Sequence, residues 1–230
     1  MTNRRSVLMG SGAAAALVMG GSALNLALTI APAFALDGTA PAKAPGAQFD
    51  PAQLMKMAAD LQDHPMGATD TKIMLIEYLS PTCSHCAAFH TNVLPQLKTE
   101  YIDTNKIMFL PRPFTRNILD AVVFMLAEAA GPERYHDVIT TYFKTQQDWG
   151  TSDKPNDALF AIAQQLGFTK ETYDAALTNQ TLFTALEKVR DQAMNDFKLQ
   201  GTPTFYLNGK MLSGEVTFDV FKAELDPLIG

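Results

Sequence analysis

Cysteine is nearly absent: Cys83 and Cys86 are the only two in 230 residues. A framework of structural disulfides is thereby excluded, and so is a structural zinc site built from cysteines, which needs more thiolates than this chain has. Basic side chains are also in short supply. Eighteen Lys and Arg stand against 24 Asp and Glu, a net charge of −6. That surplus of acid argues against nucleic acid as a partner, because a phosphate backbone is held by clustered cations. A strongly apolar run of about 20 residues, the length a membrane span requires, is missing too. The one long low-charge stretch, from Val7 to Ile30, is mild and broken by Gly20, Gly21, Ser22 and Asn25. No internal repeat is visible.

That stretch reads differently once its flanks are included. Arg4-Arg5 precede it and the small-x-small pattern Ala33-Phe34-Ala35 ends it, which is the three-part layout of an export signal. The order Asn3-Arg4-Arg5-Ser6-Val7-Leu8 resembles the twin-arginine export motif, with Val7 where an aromatic is usual and Met9 where a lysine is usual. An uncleaved anchor is the rival reading. No cysteine lies near the cleavage pattern, so lipid attachment there is excluded. Residues 1–35 are expected to be a signal peptide and the protein to work in the periplasm. The remaining 195 residues carry 16 basic and 24 acidic side chains, a net charge of −8. They suffice for one domain with a full core, or one domain carrying an insertion.

Along this mature chain, residues 36–65 are a lead-in, rich in Ala, Pro and Gly up to residue 48, with a helix predicted over Phe49 to Leu61. His64-Pro65-Met66-Gly67 reads as a turn. Residues 72–79 are apolar enough for a central strand buried on both faces. A helix is expected from Ser84 to Glu100, kinked at Pro95. Lys106 to Leu110 reads as a second strand, ended by Pro111 and Pro113. From Asn117 to Gln180 only helical patterns occur, beginning with Ile118 to Ala130, apolar nearly all round. A long amphipathic helix carrying Leu182, Leu186, Val189, Ala193 and Phe197 ends at Gly201-Thr202-Pro203. A hairpin turning at Asn208-Gly209 and a last helix from Phe218 close the chain. Strand, helix, strand, helical block, long helix, hairpin, helix is an α/β order with an all-helical insertion.

Cys83-Ser84-His85-Cys86 sits where the first strand hands over to the first long helix. A Cys-x-x-Cys there is a redox motif before it is a metal motif. Free backbone N–H groups at a helix start carry partial positive charge and favour a thiolate on the first cysteine. Cys83 is therefore the expected nucleophile, exposed to solvent. Cys86, a turn deeper, is expected to be buried and to close the disulfide. An inert structural disulfide is the bland alternative, but so small a loop stabilises little. His85 could support the thiolate or simply be an exposed helix-start residue. Glu77 lies six positions before Cys83, among Ile73, Leu75, Ile76 and Leu79. A carboxylate there is costly without a partner or a role, and burial raises its pKa. His90 is expected to be a packing or hydrogen-bonding histidine, and no constellation surrounds His64 or His136.

The Cys-x-x-Cys at the first helix, together with Thr202-Pro203 before a hairpin about 120 residues later, resembles the thioredoxin fold. With the helical block included, residues 64–228 resemble the DsbA-like thiol:disulfide oxidoreductases. The stretch Glu77-Tyr78-Leu79-Ser80-Pro81-Thr82-Cys83-Ser84-His85-Cys86-Ala87-Ala88-Phe89-His90 looks like the active-site segment of exported bacterial members. The resemblance implies a thioredoxin-like domain from residues 66–116 and 180–230, with residues 117–179 as the helical insertion. It implies a redox-active Cys83–Cys86 disulfide and no other cofactor or metal. It also implies Glu77 as the proton donor and acceptor for Cys86, and a cis Pro203 whose neighbour Thr202 pairs with an extended substrate segment. The expected partners are cysteine-containing exported polypeptides and a quinone-linked membrane oxidase or reductase, with the protein itself a monomer. Ser84 and Thr202 depart from the strongest oxidants, so a disulfide isomerase or reductase stands beside the dithiol oxidase. A Cu(I) module using Cys83, Cys86 and some of the eleven methionines is the alternative from another class.

Overall fold

The computed structural model describes residues 46–213 and 216–230. The expected signal peptide therefore lies outside the described residues. Five strands form one sheet in the order β1-β3-β2-β4-β5: β1 Met66–Gly67, β2 Met74–Leu79, β3 Met108–Pro113, β4 Thr204–Leu207 and β5 Lys210–Ser213. Only β2 and β3 run parallel; the other pairs are antiparallel. All six β2 side chains are buried, as a central strand covered on both faces must be. Asn208 and Gly209 both have positive φ and close the β4–β5 hairpin in two residues.

Two sequence expectations about the sheet fail for instructive reasons. Met66-Gly67 is a short edge strand, not a turn, paired with Phe109 and Met108. Gly67 has φ +83°, and a Cβ there would stand 2.5 Å from the Ile107 carbonyl oxygen, so the strand can approach only because the residue is glycine. Pro111 and Pro113 do not end β3; they lie within it. The N–H groups of Met108 and Phe114 donate to the β2-side carbonyls of Ile73 and Leu79, at 2.9 and 2.8 Å. Backbone direction alternates along a parallel strand, so positions 111 and 113 face away from β2, beyond the reach of two-residue β1. A proline there removes no ladder bond.

Helix α2 (Ser84–Ala88) passes through a π-helical turn (Phe89–Val93) into α3 (Leu94–Leu97) and a second π turn (Lys98–Ile102). The expected kink at Pro95 is thus taken up by a widened turn just before it, where the missing N–H is accommodated. The lead-in is helical only over Pro51–Leu54 (α1), far short of Leu61. Beyond it the chain is irregular because its side chains are committed elsewhere. Asp63 accepts two hydrogen bonds, of 2.8 and 2.6 Å, from fully buried Arg112, whose guanidinium also reaches the Leu54 carbonyl and the Tyr78 hydroxyl.

Between β3 and β4 the chain is helical: α4 Ile118–Ala129, α5 Tyr135–Lys144, α6 Gln146–Gly150, α7 Pro155–Gln165, α8 Lys170–Leu177 and α9 Gln180–Asn195. Their core contains Phe124, Tyr142 and Trp149, and it reaches Leu79, Cys83 and Cys86. One sheet face packs Leu75, Phe89, Phe109 and Phe205 against α10 (Phe218–Ile229) through Phe221 and Leu225. The opposite face packs Ile76, Tyr78 and Tyr206 on Val189 and Ala193 of α9. The N-terminal half of α9 meanwhile contributes Leu186 to the insertion's core, so this helix joins the two. Among the described residues no helix is long and apolar enough to cross a membrane.

Candidate active site

Cys83 is the N-cap of α2, with extended backbone, where β2's line of chain turns into the helix. Its sulfur is 3.1 Å from the carbonyl oxygen of Thr202, to which the thiol donates. Thr202–Pro203 is a cis peptide bond. The helix start and the hairpin approach thus meet at one sulfur, with the Thr202 carbonyl against it. The two cysteines are free thiols in this structure, that is, the reduced dithiol.

The thiols have opposite environments. The Cys83 pKa is lowered to about 5, first because the Cys86 thiol donates to its sulfur, with further support from Thr202, the Cys86 backbone N–H and the charge of Arg116, against the opposing effect of burial. The Thr202 hydroxyl is buried and has no other partner, so it is available to an ionised Cys83. Burial pushes the Cys86 thiol well up, and its bond to Cys83 and the charges of Cys83 and Glu77 add to this. One expectation needs correction. Cys83 is only 4% exposed, not open to solvent, because the insertion's core and the Thr202 loop close over it. His85 is exposed at the helix start, and no hydrogen bond joins it to Cys83 among the described residues. The cationic support comes from Arg116, which the sequence reading did not single out.

Glu77 points to the same side of β2 as Leu75 and Leu79, because side chains alternate along a strand. It is fully buried and 2.9 Å from Nε2 of His90, itself 7% exposed. Burial raises the Glu77 pKa; His90 works against that rise, while the charge of Cys83 adds to it.

Two further side chains hold the active-site loop. Asp120, fully buried in the first turn of α4, accepts from the Thr82 N–H at 2.7 Å, the Ser80 hydroxyl at 2.8 Å and the Arg116 N–H at 2.8 Å. Gln146 of α6 donates to the carbonyls of Pro81 and Cys83, at 2.6 and 3.0 Å. The sequence did contain one signal for Asp120: it is an acid in the first turn of a largely apolar helix, an anomaly like the one that singled out Glu77. Gln146 gave none. His64 and His136 are less isolated than expected. His64 pairs with Glu128 at 3.0 Å and stacks on Tyr135, with the His136 ring centre 6.4 Å away.

The thioredoxin family profile matches residues 59–227, and the chain belongs to that family. Among curated proteins it is 36% identical over 154 residues to a putative protein-disulfide oxidoreductase of Rickettsia bellii, covering 65% of this chain and 58% of the relative. A Rickettsia conorii protein of the same description is 33% identical over 170 residues, covering 73% and 60%. The chain therefore spans about three fifths of the length of these relatives. Disulfide bond formation protein D of Bacillus subtilis is 24% identical, covering 70% of this chain and 74% of that one. Among solved structures, alpha-DsbA1 of Wolbachia pipientis superposes with a TM-score of 0.72 at 23% identity, covering 79% of this chain and 96% of that one. BdbD of Bacillus subtilis gives 0.65 at 18% identity, covering 80% and 97%. The fold is thioredoxin-like with the helical insertion of the DsbA proteins.

Proposed function

We propose that the protein is an exported thiol:disulfide oxidoreductase of the periplasm, acting as a dithiol oxidase on cysteine-containing exported polypeptides. The observation that carries this reading is the opposition between the two sulfurs. A low-pKa Cys83 makes the reduced dithiol comparatively favourable, so the Cys83–Cys86 disulfide is an oxidant. The descriptions of the rickettsial and Bacillus relatives support the class of activity.

A substrate thiolate attacks the Cys83 sulfur and the Cys83–Cys86 bond breaks. The electron pair leaves on Cys86, whose raised pKa makes it take a proton, and Glu77 supplies it. The mixed disulfide would form beside Thr202, to whose backbone we assign the pairing with an extended substrate. The substrate's second thiolate then attacks its own sulfur in that bond, and Cys83 departs as a stable thiolate. Two electrons have passed from the substrate dithiol to the protein, and a membrane redox partner removes them to restore the disulfide.

The test is the equilibrium constant of the Cys83–Cys86 pair against glutathione. A potential near −120 mV, about that of a strong dithiol oxidant, supports net oxidation. A potential near −270 mV, about that of a cytosolic reductant, overturns it in favour of a reductase.

A further inference from the structure

Glu77 and His90 are buried polar groups in contact with each other, and each has one polar atom left over. The bond joins Glu77 Oε2 to His90 Nε2; Glu77 Oε1 and His90 Nδ1 are both buried and have no hydrogen-bond partner. Buried polar atoms are ordinarily paired, so an orphan at each end of one bonded pair calls for a reason. His90 also occupies the π turn Phe89–Val93, the widened turn that follows α2, a feature often found at functional sites. Its ring packs on Phe143 of α5, 4.3 Å between centres.

We propose that Glu77 and His90 act together as a proton relay for Cys86, with His90 taking a proton at Nδ1 and passing one from Nε2 to Glu77. This rests on the reading of Glu77 as the proton donor to Cys86. An imidazole can do this because its two nitrogens exchange roles: when Nε2 is the donor, Nδ1 is a free acceptor. A lone buried carboxyl could give its proton once and would then be a naked charge in an apolar setting. With His90 present, the carboxylate left behind accepts a hydrogen bond from Nε2–H and can be reloaded through it.

The step balances. The substrate thiolate forms a bond to Cys83, the Cys83–Cys86 bond breaks, and Cys86 carries off the electron pair. Glu77 gives its proton to that sulfur, His90 gives its Nε2 proton to Glu77, and Nδ1 takes one up from the solvent side. On reoxidation the protons run back. The ionisable groups facing the relay are Cys83 and Cys86 of α2 and, from α5, His136, which interacts electrostatically with His90. His136 in turn adjoins the His64–Glu128 pair, whose side chains are 9% and 19% exposed.

The experiment is the pH–rate profile of peptide oxidation for wild type, His90→Gln and Glu77→Gln. Glutamine keeps an N–H for Glu77 but cannot carry a proton through. His90→Gln should slow exchange near neutral pH by about tenfold or more, as loss of an acid–base group does, with the deficit shrinking at higher pH. If His90→Gln superimposes on wild type while Glu77→Gln is slow, the relay is wrong and Glu77 acts alone. If both superimpose, the role of Glu77 itself falls. A second measurement needs no variant: the nitrogen NMR shifts of His90 in wild type should change its charge or tautomer when Cys83–Cys86 is reduced. Shifts unchanged between redox states from about pH 5 to 8, the window in which an imidazole ordinarily titrates, would overturn the proposal.

Discussion

Two residues of one type, three positions apart, end up with opposed chemistry because of what touches each sulfur. Cys83 has the Cys86 thiol as a donor, the Thr202 hydroxyl available to its thiolate and the charge of Arg116 nearby, while Cys86 is fully buried and feels the acid Glu77. Thiolate absorbance of the reduced protein should rise with a midpoint near pH 5, the value these contacts set for Cys83. A midpoint near the free-thiol value of about 8.5 would refute it. Since Cys83 is nearly buried, iodoacetamide should label it much faster than a bulky maleimide, and Cys86 should be spared. The Glu77 site makes a second residue-scale prediction. From the sequence alone, Glu77→Leu looks stabilising, since it removes an unpaired buried acid. The structure reverses the sign: it would strand His90 Nε2, at about 1–3 kcal/mol. Glu77→Leu should therefore lower stability in urea, and the double change with His90→Leu should recover much of the loss. If the single variant is the more stable one, the 2.9 Å bond contributes nothing.

Elements carry the next level of control. The loop that presents Cys83 belongs to the strand-to-helix junction, yet it is gripped by the insertion, with Asp120 on the Thr82 N–H and the Ser80 hydroxyl and Gln146 on the carbonyls of Pro81 and Cys83. Asp120→Ala would remove the acceptor of three hydrogen bonds and should cost about 1–3 kcal/mol. It should also raise the Cys83 midpoint, because the first turn of α2 would no longer be held. Urea melts and thiolate titration of this variant check both; an unchanged midpoint would limit Asp120 to stability. What could be read in advance follows the same division. β2, the α9 pattern, the Asn208-Gly209 hairpin and the Cys-x-x-Cys were legible because each is written in consecutive residues. The grip of Gln146, the bond from His90 to Glu77 and the support from Arg116 were not, since each depends on side chains that only tertiary packing brings together. The prolines of β3 were misread for a related reason: whether a proline breaks a strand depends on which edge its nitrogen faces, and that edge is set by the length of β1. The lead-in misled because Leu54, Met57 and Leu61 have helical spacing, while the commitment of Asp63 to Arg112 keeps the chain irregular.

At the scale of the whole molecule, the Cys83 pKa becomes a statement about which redox form is the more stable. In the folded reduced protein that pKa is lowered to about 5, against about 8.5 in an unfolded chain. An acid with a depressed folded pKa contributes stability above its unfolded value and loses it as pH falls through the folded one. The oxidised protein has no thiol to titrate and lacks this contribution. Cys86 shifts the opposite way, so its neutral form persists in both folded and unfolded chains below about pH 8, and it adds no slope there. The raised pKa of Glu77 works against the folded state as pH rises, but Glu77 is present in both forms and largely cancels in their difference. The reduced protein should therefore melt above the oxidised one near pH 8, with the gap narrowing steadily toward pH 5 and nearly closed below it. Paired thermal melts of the two forms across that range test the argument. A gap that stays constant with pH would mean that the thiolate is not what favours the reduced state. A higher melting temperature for the oxidised form at pH 8 would identify the Cys83–Cys86 bond as a structural staple and remove the basis for an oxidase.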